Sequence, residues 1–182
     1  FADMALLEDL ENFRVQATLI GGKMIAEEGQ SLVQTAPVSV PHEMMHSLRL
    51  HPNISEKQFR VQCPMENPKI RVIELLNQNI TAERVMSLDA RKGYVEADVE
   101  QDLLKVVMFD RHQQIGKIAM GFLKGFGAKI GAVGTTTDLD ENTLLIVGSQ
   151  DADMALCANA LIESGGGMAV VNNGQVVEKM EF

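Results

Sequence analysis

Leu103-Leu104-Lys105-Val106-Val107-Met108-Phe109 is apolar at every position but one, the pattern of a central strand. Phe13 to Ile20 instead alternates apolar and polar residues, the period of a half-buried strand. The Gly21-Gly22 pair behind it predicts a turn, and Lys23 to Ala26 its returning partner, so this region reads as a β-hairpin. Ala2 to Leu7 reads as a further short strand, as do Phe59 to Val61, Ile70 to Leu75, Ile80 to Leu88 and Leu144 to Val147. The clearest helix runs from about Gln150 to Glu163, with Met154, Cys157, Ala158, Leu161 and Ile162 on one face. Ser149 is its expected N-cap, Asp151 and Asp153 suit the positive end of its dipole, and Gly165-Gly166-Gly167 stops it. Met168 to Val171, the turn Asn172-Asn173-Gly174 and Gln175 to Glu178 form a closing hairpin.

Between these elements lie two stretches of weaker pattern. From Gly29 to Lys57 the periodicity dissolves around Pro37, Pro41 and Pro52, which predicts a linker with at most one helical turn after Pro41. From Gly116 to Gly134 glycines recur, read as tight turns or close backbone packing. Strands dominate and helices are few. The class is α/β or α+β, a small β-hairpin module followed by a mixed α/β domain.

Composition narrows the function. With 182 residues, 46% hydrophobic and 23% charged, the chain is a folded domain and not a disordered tract. Its net charge of −9 argues against a nucleic-acid or anionic-membrane surface, since phosphate contact needs clustered Lys and Arg. No apolar run approaches the roughly 20 residues of a membrane helix. Cys63 and Cys157 make no disulfide framework, which favours a reducing, cytoplasmic setting. The chain starts at Phe1 in strand-like sequence without a signal peptide, and reads as the tail of a longer polypeptide.

Four constellations could carry chemistry. His42-Glu43-Met44-Met45-His46 has the H-E-x-x-H form of a zinc protease, in which two imidazoles one helical turn apart hold the metal and the Glu polarises its water. Flanking prolines leave too short a segment for the long helix of such a site, and His51 is too close for the usual third ligand; a surface linker is the reading favoured. Gly125-Phe126-Gly127 resembles part of a phosphate loop without its spacing. Thr135 to Asn142 carries Asp138, Asp140 and Glu141, oxygen ligands for a hard cation or the polar residues of a solvated loop. Asp110-Arg111-His112 ends the central strand and offers either a site-facing imidazole or a simple Asp–Arg pair.

Several segments, in order, carry a family resemblance. Ala2 to Val15 and Ile20-Gly21-Gly22-Lys23-Met24-Ile25-Ala26 resemble the closing β-module of amidohydrolase-superfamily enzymes. Phe109-Asp110-Arg111-His112, Gly121-Phe122-Leu123-Lys124-Gly125-Phe126-Gly127, Val147-Gly148, Asp153-Met154-Ala155-Leu156 and Gly165 to Val171 resemble the C-terminal domain of bacterial adenine deaminases. Ile54 to Val61 is similar to the family's approach to that domain. The resemblance implies three parts: residues 1–35 as the end of the β-sandwich module, 36–57 as linker, and 58–182 as the C-terminal-like domain. One departure stands out. Where the family carries a His-Asp-Ser-His-Asn run, this chain has Leu139-Asp140-Glu141-Asn142-Thr143, keeping only Asp140.

The resemblance implies hydrolytic deamination of adenine to hypoxanthine and ammonia in purine salvage. In the family a divalent metal, manganese or iron, activates the attacking water in a (β/α)₈ barrel. That barrel would precede Phe1, so no metal ligand or cofactor site is expected in these residues, which alone should be inactive. Arg111, His112, Asp138 and Asp140 are the candidates for residues facing a site. The expected partners are a small purine base, the protein's own N-terminal barrel and further copies of the chain, with neither nucleic acid nor membrane. A non-catalytic binding or regulatory module of the same fold is the principal rival, and the zinc protease is the other.

Overall fold

The computed structural model describes residues 2–34, 36–45, 47–50, 53–111, 117–129, 131–137 and 143–182. The chain divides into two compact units, Phe1–Val40 and Pro41–Phe182.

The first unit is an antiparallel sheet of β1 (Met4–Leu7), β2 (Val15–Ile20), β3 (Lys23–Glu27) and β4 (Gln30–Ser31), paired in chain order. Its central hairpin turns at Gly21 and Gly22, with φ of 57° and 79°, a region glycine enters without steric cost. The Asp3 carboxylate accepts the Gly21 N–H at 2.7 Å and ties β1 to that turn.

The second unit opens with a single helical turn, α1 (His42–Met45), as expected behind Pro41. The predicted strand at Phe59 is instead the end of a 3-10 turn, Glu56–Phe59. The Ser55 N–H donates to the Gln58 side chain at 2.6 Å, a local bond that closes the turn and competes with extended pairing. The strands that follow are β5 (Val61–Gln62), β6 (Lys69–Leu75), β7 (Thr81–Ser87), β8 (Ala90–Arg91), β9 (Tyr94–Val95) and β10 (Leu103–Phe109). Next come β11 (Ile118–Lys124), β12 (Ala132–Thr135), β13 (Leu144–Gly148), the helix α2 (Asp151–Glu163), β14 (Met168–Asn172) and β15 (Gln175–Met180). The unit is strand-rich and mixed α/β.

Eight strands form one sheet in the order β15-β14-β12-β13-β10-β11-β6-β7, and β5-β9-β8 form a small second one. Only β11 and β6 pair in parallel; the other neighbours of the large sheet are antiparallel. The central strand β10 lies between β13 and β11, which accounts for its apolar run. The glycine-rich run holds two strands, β11 and β12, that glycine punctuation conceals.

Alternation gives the large sheet two unlike faces. One carries Val107, Phe109, Ile146, Ala132 and Ala169, and α2 packs on it through Met154, Cys157, Ala158 and Leu161. Phe59 joins the same core, edge-on to Phe109 with ring centroids 5.8 Å apart. Leu48, Leu50 and Ile54, from the stretch predicted as linker, pack there too. The Asn159 side chain holds that segment on α2: it accepts the N–H groups of Asn53 and Ile54 at 3.1 and 3.0 Å and donates to the Ile54 carbonyl at 2.8 Å. Close approach of α2 requires glycine at 134, where an added Cβ would sit 2.7 Å from Cys157 Sγ and 2.9 Å from Leu161 Cδ1.

On the opposite face, pairing aligns Val170, Val133, Val147 and Val106 across β14, β12, β13 and β10. Met168, Thr135, Leu145 and Met108 form the row beside them. Among the described residues no helix packs on this face.

The helix itself begins otherwise than expected. Its N-cap is Gln150, in extended conformation and without a side-chain capping bond, while the Ser149 N–H pairs with the Gly131 carbonyl at 2.9 Å. The glycines behind Glu163 end α2: the Gly165 and Gly166 N–H groups return to the carbonyls of Ile162 and Leu161. Asn173 and Gly174, with φ of 53° and 74°, make the tight turn between β14 and β15 that the sequence predicts.

Candidate functional site

The one polar residue of the central strand is its least ordinary. Lys105 is completely buried, 0% exposed, on the α2 side of β10. A buried ammonium must be paired. Its Nζ donates to Asp151 Oδ1 at 2.7 Å and to Glu96 Oε2 at 2.8 Å. Asp151 is the first residue of α2, where the helix dipole also favours a carboxylate. Burial nonetheless pushes the Asp151 carboxyl above the ordinary carboxylate range, outweighing the pull of Lys105.

Glu96 reaches this pair from the wall of an open groove of 470 Å³ that also includes Ser87, Asp89, Arg91, Asp98 and Gln101. The groove is acidic on balance, a surface that disfavours phosphate and tolerates neutral or cationic groups. Within it the hydrogen bond from the Gln101 side chain, helped by backbone N–H groups, holds Asp98 below the ordinary carboxylate range.

Asp153, two residues into α2, is buried as well, and its task is structural. Its oxygens accept the N–H groups of Asn173 at 3.0 Å and Gly174 at 2.7 Å, fastening the β14–β15 turn to the helix. Thr136 does the same for the glycines behind α2: its Oγ1 accepts the Gly167 N–H at 2.8 Å.

Arg111 follows the end of β10. Its Nη1 donates to the Thr136 carbonyl at 3.0 Å, and its own carbonyl accepts the Arg49 N–H at 2.9 Å. Its Nε is buried and has no hydrogen-bond partner among the described residues. The structure thus brings Arg111 beside the segment that leads into 138–142. His112, Asp138 and Asp140 lie outside the described residues, as does His46 of the H-E-x-x-H sequence. His42 and Glu43 stand in the single turn of α1. Gly125 and Gly127 have φ of 87° and 76° and serve turns, with the Gly127 N–H bonded to the Asp102 carboxylate at 2.9 Å.

Lys105, Glu96, Asp151 and Asp153 are not among the residues that the sequence marks as site candidates. A signal existed for the first: a lone lysine within an otherwise apolar central strand must find buried counter-charges. Nothing local marks Glu96 as its partner, because the contact depends on the path of the chain between β9 and β10.

Cys157 and Cys63 are both free thiols. Burial pushes the Cys157 thiol up to about 12, and its Sγ faces the Ala169 carbonyl at 3.6 Å. The thiolate is the reactive form. An aromatic disulfide reagent is therefore expected to modify Cys63 in the native protein and to reach Cys157 only after unfolding, as two kinetic phases of thionitrobenzoate release.

The second unit defines a strand-rich domain with one long helix packed on its main sheet. Residues 78–182, more than half of the chain, match the family model of the adenine deaminase C-terminal domain, and the chain belongs to that family. An adenine deaminase of Clostridium botulinum (strain 657 / Type Ba4) is 38% identical over 178 residues, covering 97% of this chain and 30% of that protein. An adenine deaminase of Moorella thermoacetica is 38% identical over 180 residues, with the same coverage, and one of Kosmotoga olearia 33% over 180. The chain thus spans about 30% of the length of the curated relatives it matches.

Proposed function

We propose that this chain is the C-terminal part of an adenine deaminase, a metal-dependent hydrolase of the amidohydrolase superfamily that converts adenine and water to hypoxanthine and ammonia in purine salvage. The observation that carries this reading is the asymmetry of coverage: 97% of the chain aligns with 30% of proteins named adenine deaminase. The relatives hold the remainder of their length outside the match. That remainder is where we place the barrel and its manganese or iron.

The donors in the described residues do not suit such an ion. No group of three or more His, Cys, Asp or Glu side chains gathers there. The oxygens of Asp153 are engaged by two backbone N–H groups, and Asp151 and Glu96 already flank a cation, Lys105. The role assigned to this chain is to shape or shield the site. Arg111, His112, Asp138 and Asp140 are its candidates for groups facing the purine. Arg111 has the strongest support, since its buried Nε has no hydrogen-bond partner among the described residues. The full enzyme is read as a cytoplasmic homo-oligomer; no helix of the described residues is long and apolar enough to cross a membrane.

The test is ammonia release from adenine by the full-length polypeptide loaded with manganese or iron. Hypoxanthine and ammonia should appear in equal amounts. A folded, metal-loaded polypeptide that leaves adenine intact refutes the reading.

A further inference from the structure

The face of the large sheet opposite α2 is uncharged across its middle. The valine row from Val170 to Val106 and the row from Met168 to Met108 contain no charged residue, in a chain of net charge −9. Within the strands, charges appear at the margins: Lys69 and the Arg71–Glu83 pair on β6 and β7, and Glu178 on β15. Apolar side chains reach solvent here: Met168 is 44% exposed and Ile73 likewise 44%. Val99 and Ala128 pack over the end near Leu104 and Leu123 and against Val106 and Val147, leaving Val133, Val170 and the row from Met168 to Met108 outside that cluster. An uncharged centre within a charged rim is the anatomy of a protein interface.

We propose that this face docks against the remainder of the full-length polypeptide, through an apolar, uncharged surface of the barrel-bearing part. The inference rests on the reading that this chain is one part of a longer deaminase. Size argues for that occupant over a second copy. Two side-chain rows across β14, β12, β13, β10 and β11 span about 24 Å by 14 Å at the usual strand and residue spacings, an upper bound of about 340 Å² a side because Val147 is already buried. A freely associating pair buries about 800 Å² per partner, whereas domains of one chain meet over about 600–1,500 Å² in total. Covalent linkage raises the effective concentration of the neighbour, so a small interface suffices. The relatives provide such a neighbour, since 70% of their length lies outside the match, by difference from the 30% aligned.

Hydroxyl-radical footprinting of the full-length polypeptide reads the face directly through its methionines. Met168 is 44% exposed and Met180, beside it on β15, 59%, against 60% for Met65 on the loop behind β5. If the face is docked, Met168 and Met180 oxidise about ten-fold more slowly than Met65 at every protein concentration, the ratio reporting the undocked fraction. Met168→Lys, at a half-exposed position the fold tolerates, should raise Met180 oxidation toward that of Met65. Equal rates at the three methionines overturn the proposal. Protection that vanishes on dilution also overturns it, because a second copy then occupies the face. Ammonia release measured on the same preparation separates the two readings. Protection without deamination rejects the enzyme assignment and keeps the interface; deamination without protection rejects the interface alone.

Discussion

Gly131→Ala is expected to destabilise the second unit by about 3 kcal/mol, from overpacking together with the loss of buried hydrogen bonds. A Cβ at this position would overlap the Asp153 carboxylate, which cannot move without breaking its two backbone hydrogen bonds. Asp153 is buried and holds the turn between β14 and β15 through the Asn173 and Gly174 N–H groups. The added methyl group therefore acts through that carboxylate as well as on local packing. The Gly131 carbonyl also accepts the Ser149 N–H, so a shift of its backbone is felt at the start of α2. Urea unfolding followed by circular dichroism measures the change. Gly127→Ala is the wrong comparison, since Gly127 has φ of 76° and is strained by any side chain. Gly121→Ala is suitable: it has ordinary φ, and its added Cβ would meet Val106 at 3.7 Å, an ordinary contact, so it should cost well below 1 kcal/mol beyond propensity. Equal losses in the two variants would remove the special role given to Gly131.

Lys105→Ala is expected to cost about 3–5 kcal/mol, the range for removing one partner of a buried ion pair. It leaves Asp151, whose side chain is 16% exposed, facing an empty space without its cation. Lys105→Met separates packing from charge, because the unbranched side chain keeps most of the volume. Its cost should depend on pH. The Asp151 carboxyl already titrates above 3.8 in the native protein because burial penalises its charge. A raised native value means that the folded state holds more protons than the unfolded one across the interval between the two values. That contribution is fully present below 3.8 and is lost as pH rises through the native value. Without Lys105 the native value rises further, so the deficit of Lys105→Met relative to the unsubstituted protein should be small near pH 4 and widen toward pH 8. Denaturation midpoints across that range provide the measurement. A deficit independent of pH would show that Lys105 contributes packing alone.

Much of the fold was legible where hydrophobic period and turn chemistry agree. The apolar run at β10, the helix at α2, the Gly21-Gly22 hairpin and the Asn173-Gly174 turn all formed as their residues suggest. Agreement failed where a non-local contact overrode the local pattern. The glycine-rich stretch reads as a loop, yet β11 and β12 run within it, and packing against α2, invisible in sequence, is what requires small residues at 131 and 134. Phe59 reads as part of a strand because Phe59-Arg60-Val61 alternates apolar and polar, whereas the Ser55–Gln58 bond curls the chain there. The sequence suggests Ser149 as N-cap, whereas Gln150 holds that position, and the two acidic residues serve contacts beyond the dipole: Asp151 faces Lys105 and Asp153 fastens a distant turn.

The candidate site was legible only at its edge. Arg111 stood out because it ends a buried strand, and the structure gives it a carbonyl partner and leaves its Nε unpaired. The Lys105 cluster is not legible in the sequence because its three members come from β10, the segment before it and α2, with Lys105 and Asp151 separated by 46 positions. Sequence spacing carries no trace of such a meeting.

Assay of this chain by itself, folded by circular dichroism and supplied with adenine and manganese or iron, bears most directly on where water is activated. No ammonia above the uncatalysed background is predicted, with turnover appearing only in the full-length polypeptide. Sustained release of ammonia by these 182 residues alone would contradict it.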